Sequence, residues 1–374
     1  RMYDGRREEP GTRDAPPQDL VEKYLRGGID LDLRGHLGHQ GYLHVQAYRT
    51  MGHHTFTDGW ESRDWVNGVW SRLELDWSGL GKTTFGLEGK RFGGRSLGTY
   101  PGEWSAGEEA VLLHHRVPLL QRLQVSGGMR LHHDDAFGLE WVPEAGLVWN
   151  PGDTLFLRAR YTRGFRSPQL NERFIFPSAN PDLKPERAWS TDLGADWQVV
   201  PGQRLRLGLF DMQGDNLIRL MPNTTGSGPR YRFQNGGTFH HRGAELEWEG
   251  YWGRYLRTGT TLTLLDAGEK TAGKSPVTLT QRLSWERGAW TAVLGGRWIS
   301  RQYQADDHGD PLPPYTVLDL HLRVHLGRSR LSLLVDVENL MNHEYVVYAV
   351  FPGGSGGVYP MPGRWLTLGL EWAR

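Results

Sequence analysis

The sequence contains no cysteine, and this absence removes several classes of chemistry at once. A chain without thiols forms no disulfide, no thiolate metal site and no cysteine nucleophile. Long hydrophobic runs are missing as well, because no apolar stretch reaches the roughly 18 residues that a membrane-spanning helix requires. The mean hydropathy of −0.56 agrees with this, so a protein that crosses membranes with helices is excluded.

Net charge is also absent. The Lys+Arg count of 43 equals the Asp+Glu count of 43, so the formal net charge is +0, and we predict no nucleic-acid partner. Common enzyme motifs are missing too, since the sequence has no nucleophile elbow, zinc-protease helix or phosphate loop. We therefore predict that the chain is not an enzyme and that it has no catalytic residue, no resident metal ion and no cofactor.

Several stretches of about ten residues are apolar at every second position and polar in between. In residues 317–326, leucine and valine alternate with aspartate, histidine and arginine. Successive side chains of a β-strand point to opposite faces, so such a strand has one apolar and one ionic face. Strands of about 9 to 11 residues with this alternation are typical of membrane β-barrels. The pattern recurs at 154–162, 244–249 and 366–372.

The connections between the predicted strands alternate between short and long. Short polar turns are predicted near 35–40, 78–81, 117–118, 150–153, 200–203, 252–254, 286–288 and 327–330. Long connections are predicted near 52–64, 93–103, 133–137, 164–187, 213–230, 266–275, 302–314 and 341–362. This order puts every short turn at one end, as in outer-membrane barrels with short periplasmic turns. A soluble sandwich or propeller remains the alternative, but it has no reason to sort its loops in this way.

The predicted fold class is therefore all-β, an antiparallel transmembrane β-barrel. The scheme gives about 17 strands, whereas single-chain outer-membrane barrels have even numbers of strands. We interpret residues 20–374 as an incomplete barrel, about 17 C-terminal strands of a probable parent barrel of about 22. Residues 1–19, rich in charge and proline, are interpreted as the remnant of an external loop.

Several motifs resemble those of TonB-dependent outer-membrane receptors. They are YTRGFRSP at 161–168, NPDLKPE at 180–186, DNLI at 215–218, GAELE at 243–247, VDVENLMNHEY at 335–345 and PGR at 362–364. Their order and spacing match from about residue 20 to the end, so the chain is identified as a member of this family. The resemblance implies a location in the outer membrane of a Gram-negative-type envelope, in contact with its lipid. It also implies a TonB box and a plug domain in a missing N-terminal part, and the TonB–ExbB–ExbD complex as a partner acting through the plug.

The resemblance gives the polar strand faces a role, because the family's barrel surrounds water and its own plug. We interpret these charges as a hydrated wall rather than as specific ion pairs. The predicted lumen-facing or plug-facing residues are Arg158, Arg160, Glu245, Glu247, Asp319, Arg323, Asp336 and Glu338.

The long external loops are predicted to bind a metal-chelate ligand. Aromatic and arginine side chains suit flat chelates because they supply rigid stacking area and fixed hydrogen-bond donors. Two adjacent histidines are candidates for contact with a metal complex. The predicted ligand-binding residues are His53, His54, Asp58, Trp60, Arg173, Phe174, Phe176, Tyr345, Tyr348, Phe351 and Tyr359.

The expected function is TonB-dependent active transport of a scarce metal chelate, first an iron siderophore and second a cobalamin-like corrinoid. Some haem receptors of the family have a histidine between two of these motifs, and residues 169–179 contain none. Haem ranks lower for that reason, although His53 and His54 are possible substitutes from another loop. A passive porin-like or structural barrel and an outer-membrane barrel enzyme are the alternatives of another class, and a plug encoded upstream would distinguish a receptor from a porin.

Overall fold

The computed structural model describes residues 2–8, 20–98, 100–224, 228–327, 330–349 and 357–372. In the first half, the strands are β1 (Met2–Glu8), β2 (Val21–Leu37), β3 (Gly41–Phe56), β4 (Glu61–Asp76), β5 (Lys82–Leu97), β6 (Gly102–Leu120), β7 (Leu123–Asp134), β8 (Gly138–Trp149), β9 (Leu155–Arg166), β10 (Glu186–Val200), β11 (Gln203–Asp215) and β12 (Ile218–Pro222). The second half contains β13 (Tyr231–Asn235), β14 (Phe239–Trp252), β15 (Leu256–Asp266), β16 (Val277–Arg287), β17 (Trp290–Ile299), β18 (Gln302–Tyr303), β19 (Pro311–Leu312), β20 (Tyr315–His325), β21 (Leu331–Glu338), β22 (Val346–Ala349), β23 (Gly357–Pro360) and β24 (Trp365–Trp372). A short 3-10 turn covers Ser78–Leu80 and a π-type turn covers Asn171–Ile175.

Within the described residues, 18 of the strands form one antiparallel sheet in which each strand pairs with the next one along the chain. The six remaining strands form three small hairpins inside the long connections: β12 with β13, β18 with β19, and β22 with β23. The short turns therefore lie at one end of the sheet, here called the turn end. The long connections and the small hairpins lie at the other, the loop end. This is the arrangement that the loop lengths predicted.

The pairing register separates two faces of the sheet. Leu320 lies opposite Leu294 on one side and Val337 on the other, and this face, the apolar face, continues through strand after strand. The intervening positions form the polar face. Many large aliphatic side chains on the apolar face are exposed, from 37% for Leu246 to 70% for Leu370. A soluble sandwich would cover such side chains, whereas lipid would solvate them.

The strand lengths agree with a membrane barrel. β6 has 19 residues and β2 has 17, more than the roughly 9 to 11 that cross the hydrocarbon. The strands therefore extend beyond the lipid, mainly at the loop end. The predicted fold class, an all-β antiparallel barrel sheet, is confirmed by these features and by the structural comparisons given below.

The structure differs from the sequence prediction in its first strand. Residues 1–19 are predicted to be a loop remnant, but Met2–Glu8 pair with Val21–Gly27 as β1. Residues 1 and 9–19 lie outside the described residues. Charged side chains occur on both faces of this segment, so no alternation marks it as a strand. The described sheet has 18 strands rather than about 17, which is an even number.

The first long connections are also shorter than predicted. β3 continues to Phe56 and β4 begins at Glu61, so most of the predicted loop at 52–64 is strand. Likewise, β5 runs to Leu97 and β6 begins at Gly102. Above the lipid both faces of a strand meet water, so polar residues occupy both and the alternation disappears.

None of the helical segments among the described residues is long and apolar enough to span a membrane.

Candidate functional site

The connection between β9 and β10 is held in place by the guanidinium of Arg166. Its Nε and Nη2 donate to the carboxylate of Glu186 at 2.9 and 2.8 Å, and its Nη1 donates to Glu172 at 3.0 Å. Glu172 also accepts a hydrogen bond from the Gln169 backbone N–H at 2.7 Å, and Glu186 accepts one from Ile218 at 2.7 Å. Charge-assisted bonds of this kind are stronger than neutral ones. The motif residues therefore fix the π-type turn at Asn171–Ile175.

This turn presents aromatic side chains to the hairpins at the loop end of β3–β6. Phe176 stacks on Trp60 with ring centroids 6.2 Å apart and meets the edge of Tyr100 at 6.0 Å. Phe174 stacks on Trp104 at 6.2 Å with an interplanar angle of 9°. These five residues, Trp60, Tyr100, Trp104, Phe174 and Phe176, are called the loop aromatic cluster. Three of them were predicted as ligand residues, and the structure brings them together from distant parts of the chain.

Arg173 belongs to the same neighbourhood. Its guanidinium lies 4.5 Å from the ring centroid of Phe174. Burial lowers the pKa of Arg173, and the carboxylate of Asp134 partly opposes that effect. The Nε atom of Arg173 and the indole Nε1 of Trp60 are buried without a hydrogen-bond partner among the described residues. The loop aromatic cluster and Arg173 thus combine stacking surface with unused donors, which is the chemistry that a flat anionic chelate requires.

The predicted histidine pair does not form one site. Both residues lie in β3 rather than in a loop, which corrects the prediction of their position. His53 is opposite Leu25 on the side of the apolar face, whereas His54 is opposite Tyr24 on the polar face. Each already has a carboxylate partner: His53 Nε2 is 2.9 Å from Glu61, and His54 Nδ1 is 3.2 Å from Glu22. Successive strand residues point in opposite directions, so the pair cannot ligate one metal from a single side.

Asp58 has a local structural contact. Its Oδ1 accepts the backbone N–H of Trp60 at 2.9 Å within the β3–β4 turn. An aspartate that bonds the backbone two residues onward is a common turn device. In this position Asp58 holds the turn that presents the Trp60 indole.

The tyrosines near the C-terminus lie apart from this cluster. Tyr345 stacks on Tyr315 at 4.5 Å and packs on the buried residues Ile299, Tyr315 and Val317. Tyr348 lies against Gly273, and Tyr359 pairs with Val347 across the β22–β23 hairpin. Phe351 is outside the described residues. Among those that are described, no ring contact joins these tyrosines to the loop aromatic cluster.

The loops of the second half are joined through Asp306. Its carboxylate pairs with Arg219 of β12 and lies 3.5 Å from the Lys270 ammonium. Its Oδ1 accepts the backbone N–H of Ala272 at 3.3 Å. Burial alone would raise the pKa of Asp306, but this backbone bond and the cation of Arg219 outweigh it, so the pKa lies below its ordinary value. Asp306 therefore joins the connection in which it lies to two others, the one that contains Arg219 and the one that contains Lys270 and Ala272.

All eight predicted lumen residues fall on the polar face in the pairing register. Several form specific ion pairs, where we expected mainly hydrated charges. Arg160 bonds Glu144 at 2.9 Å, Glu247 bonds Arg206 at 2.6 Å, and Asp336 bonds His321 at 2.7 Å. Arg323 bonds Glu371 at 2.7 Å, and Asp319 accepts the backbone N–H of Asn339 at 2.8 Å. Glu247 lies directly opposite Arg206, and Asp336 lies directly opposite His321. Arg160 is diagonal to Glu144, and side chains at both kinds of position on paired strands can interact.

Sequence reasoning missed one cluster on the polar face. Glu108 of β6 and His132 and Asp134 of β7 bring a ring nitrogen and two carboxylates close together. The spacing of His132 and Asp134, two apart in a predicted strand, was the available signal, since it places both on one face. Nothing in the sequence indicated that Glu108 would be their neighbour.

The family described as "TonB dependent receptor-like, beta-barrel" matches residues 4–340 of the chain. Among sequence relatives, the vitamin B12 transporter BtuB of Vibrio vulnificus is 25% identical over 239 residues, covering 62% of this chain and 37% of that protein. The iron-regulated outer membrane virulence protein of Vibrio cholerae is 28% identical over 135 residues, covering 30% of this chain and 20% of that protein. The chain thus spans well under half the length of these curated relatives.

Solved structures show the same fold. The siderophore receptor PirA from Pseudomonas aeruginosa superposes with a TM-score of 0.73 at 17% identity, covering 94% of this chain and 64% of that one. The FrpB iron transporter from Neisseria meningitidis superposes with a TM-score of 0.78 at 14% identity, covering 99% of this chain and 67% of that one. At these identities the likeness establishes the architecture alone.

Proposed function

The chain belongs to the TonB dependent receptor-like β-barrel family of the outer membrane, and we propose that the receptor containing it imports a ferric siderophore. The loop aromatic cluster with Arg173 is the observation that carries this proposal. Its rings offer stacking area, and the Arg173 Nε and Trp60 Nε1 offer donors that have no partner among the described residues. An anionic chelate with aromatic groups would satisfy both kinds of contact.

The transport cycle in this proposal follows the family. The ligand binds at the loop end, and a plug domain inside the barrel, coupled to TonB–ExbB–ExbD and the inner-membrane proton gradient, releases it inward. We expect no enzymatic activity. The names of several relatives agree with a metal chelate as ligand, since they include a siderophore receptor and an iron-regulated protein.

Cobalamin is the second candidate. The relative called a vitamin B12 transporter matches a larger share of this chain than the iron-regulated protein does. A corrinoid could also be held by stacking and polar contacts without a protein bond to its metal. Haem ranks lower because no histidine lies between the two motifs at 165–168 and 180–183. His53 and His54 are also poor substitutes, since they face opposite sides of β3 and bond carboxylates.

Ligand binding by the full-length, plug-containing receptor tests the proposal. The purified receptor is titrated with ferric catecholate, ferric hydroxamate and ferric carboxylate siderophores, cyanocobalamin and haemin, with binding followed by tryptophan fluorescence and by calorimetry. We expect a ferric siderophore to bind most tightly, the catecholate above the others. Tight binding of cyanocobalamin alone would replace the siderophore with a corrinoid. Haemin binding that is lost in His53→Ala/His54→Ala would support haem instead.

A further inference from the structure

Three side chains below the loop aromatic cluster converge on the polar face of β6 and β7. His132 and Asp134 alternate along β7, and Glu108 of β6 lies directly opposite Asp134. One ring nitrogen of His132 and one carboxylate oxygen each from Asp134 and Glu108 all lie within 4.8 Å of one another. In the part of the chain that the structure describes, this is the one group of three such residues that approach so closely.

The cluster is buried and incompletely bonded. His132 and Asp134 are each only 4% exposed, and Phe165 covers the imidazole at a ring distance of 4.8 Å. The Nε2 atom of His132 is buried and has no hydrogen-bond partner among the described residues. Leaving a buried polar atom without a partner costs about 1–3 kcal/mol. An unpartnered buried atom needs an explanation, and an ion that is missing from the structure is one.

The neighbouring cations leave room for a metal ion. The Lys90 ammonium is 2.7 Å from Glu108 and neutralises one of the two carboxylates. Asp134 accepts the backbone N–H of Ala136 at 2.7 Å and feels the charge of Arg173. Arg130 is paired with Glu88 at 2.6 Å. Its other contact, 3.4 Å to His132 Nδ1, is too long for a strong hydrogen bond. A bound divalent cation would therefore neutralise negative charge of the two carboxylates that Lys90 leaves uncompensated.

We propose that Glu108, His132 and Asp134 bind one divalent transition-metal ion of the Zn²⁺ type. One imidazole nitrogen and two carboxylate oxygens are donors that suit such ions, and three protein ligands leave one tetrahedral position for water. Metal–ligand bonds of about 2.0–2.2 Å place tetrahedral donors about 3.4 Å apart, so the side chains need to move by only about 1 Å. This ion is bound by the protein itself and is distinct from the chelated metal of the proposed function.

Zinc binding to the full-length receptor tests this site. The purified receptor is stripped with a chelator, dialysed against Zn²⁺ and assayed for bound metal by mass spectrometry, and Co²⁺ is used as a visible-absorption probe. We expect one equivalent of Zn²⁺ and the absorption of a four-coordinate Co²⁺ site. Asp134→Asn and His132→Ala should weaken Zn²⁺ binding by about 10- to 100-fold or more.

His133→Ala is the matched control, because His133 is the exposed neighbour on the opposite face of β7. It should leave zinc binding unchanged. Should His132→Ala fail to fold, the shape-conserving Asp134→Asn and the Co²⁺ spectrum of the wild type still decide the outcome. A receptor that takes up no stoichiometric Zn²⁺, or one whose zinc binding His133→Ala reduces as much as Asp134→Asn does, overturns the proposal. Both results are independent of siderophore binding, so the two proposals can fail separately.

Discussion

The indole ring of Trp60 stacks on the ring of Phe176 with centroids 6.2 Å apart. Trp60 ends the turn between β3 and β4, whereas Phe176 follows the π-type turn between β9 and β10. The contact therefore joins two parts of the loop end that are remote in sequence and separated by several strands of the sheet. Because the β9–β10 connection is anchored by Arg166, this stacking fixes the position of Arg173 as well.

Trp60→Ala should weaken binding of the ferric siderophore to the full-length receptor by about tenfold or more, since aromatic anchors in partly buried sites carry a large share of binding energy. Trp77→Ala is the matched control, because the Trp77 indole is exposed at the turn end and bonds Thr83. Titration by fluorescence with both variants measures the difference. Equal affinities for Trp60→Ala and the wild type would contradict a ligand role for the loop aromatic cluster.

Arg166→Gln should loosen the β9–β10 connection. The substitution removes the four charge-assisted bonds to Glu172 and Glu186 and leaves Glu172, which is buried, without its cation. Because the Arg166 side chain is 38% exposed, we expect a modest loss of about 1–3 kcal/mol in local stability. Faster hydrogen exchange at 169–180 would report it. Arg160→Gln, whose guanidinium is more exposed, should leave exchange in this segment unchanged, and an equal effect of both variants would argue against the anchor.

Glu140 fills a gap between β8 and β9. Pro143 has no N–H to donate, and the β8–β9 ladder is formed only from Glu144 to Trp149. On the loop-end side of this ladder, Arg163 donates to Glu140 at 2.9 Å and to the Trp141 carbonyl, and Arg187 also bonds Glu140. Side-chain bonds thus replace backbone bonds where the two strands separate.

Glu140→Gln should therefore destabilise the sheet by about 3–5 kcal/mol, because it leaves two arginines without their shared carboxylate and Arg163 is only 8% exposed. The temperature at which the folded receptor changes its mobility in detergent gels should fall. Glu144→Gln, on the same strand and face but with a more exposed arginine partner, serves as the control and should change it much less. A larger effect for Glu144→Gln would contradict the proposed role of Glu140 in joining β8 and β9.

Asp306 should make the contacts among the loops sensitive to acid. Its folded-state pKa is lower than its unfolded value, so its stabilising contribution is complete above the unfolded value of about 3.9. This contribution is lost as the pH falls through the folded pKa. Asp306→Asn should loosen residues 267–276 already at neutral pH, as hydrogen exchange would show. Asp307→Asn, an exposed neighbour, is the control, and protection that persists in Asp306→Asn would refute the role.

The sequence predicted the sheet best where one face meets lipid. In β20 the lipid requires leucine or valine at each second position, so Leu318, Leu320 and Leu322 identified both the strand and its faces. The alternation ends where both faces meet water, and for that reason β1 and the upper part of β3 were taken for loops. Because β1 was taken for a loop, the predicted number of strands was about 17 instead of 18.

The candidate site was predictable only in part. Aromatic and arginine residues in the connections marked Trp60, Arg173 and Phe176 as candidates from their chemistry. Their proximity depends on how the β9–β10 connection folds across the loop end, and no local pattern encodes that. The pairing of Glu108 with Asp134 likewise depends on the register of β6 and β7, which the separate strands do not reveal.

Uptake of radioactive iron by cells tests siderophore import itself. Cells that lack other siderophore receptors and produce the full-length receptor are supplied with the iron-labelled siderophore that binds most tightly. We expect saturable uptake that stops when TonB is deleted or the proton gradient is collapsed, and that falls in Trp60→Ala but not in Trp77→Ala. Uptake that is non-saturable and continues without TonB would instead identify a passive pore, and the absence of uptake would contradict siderophore import.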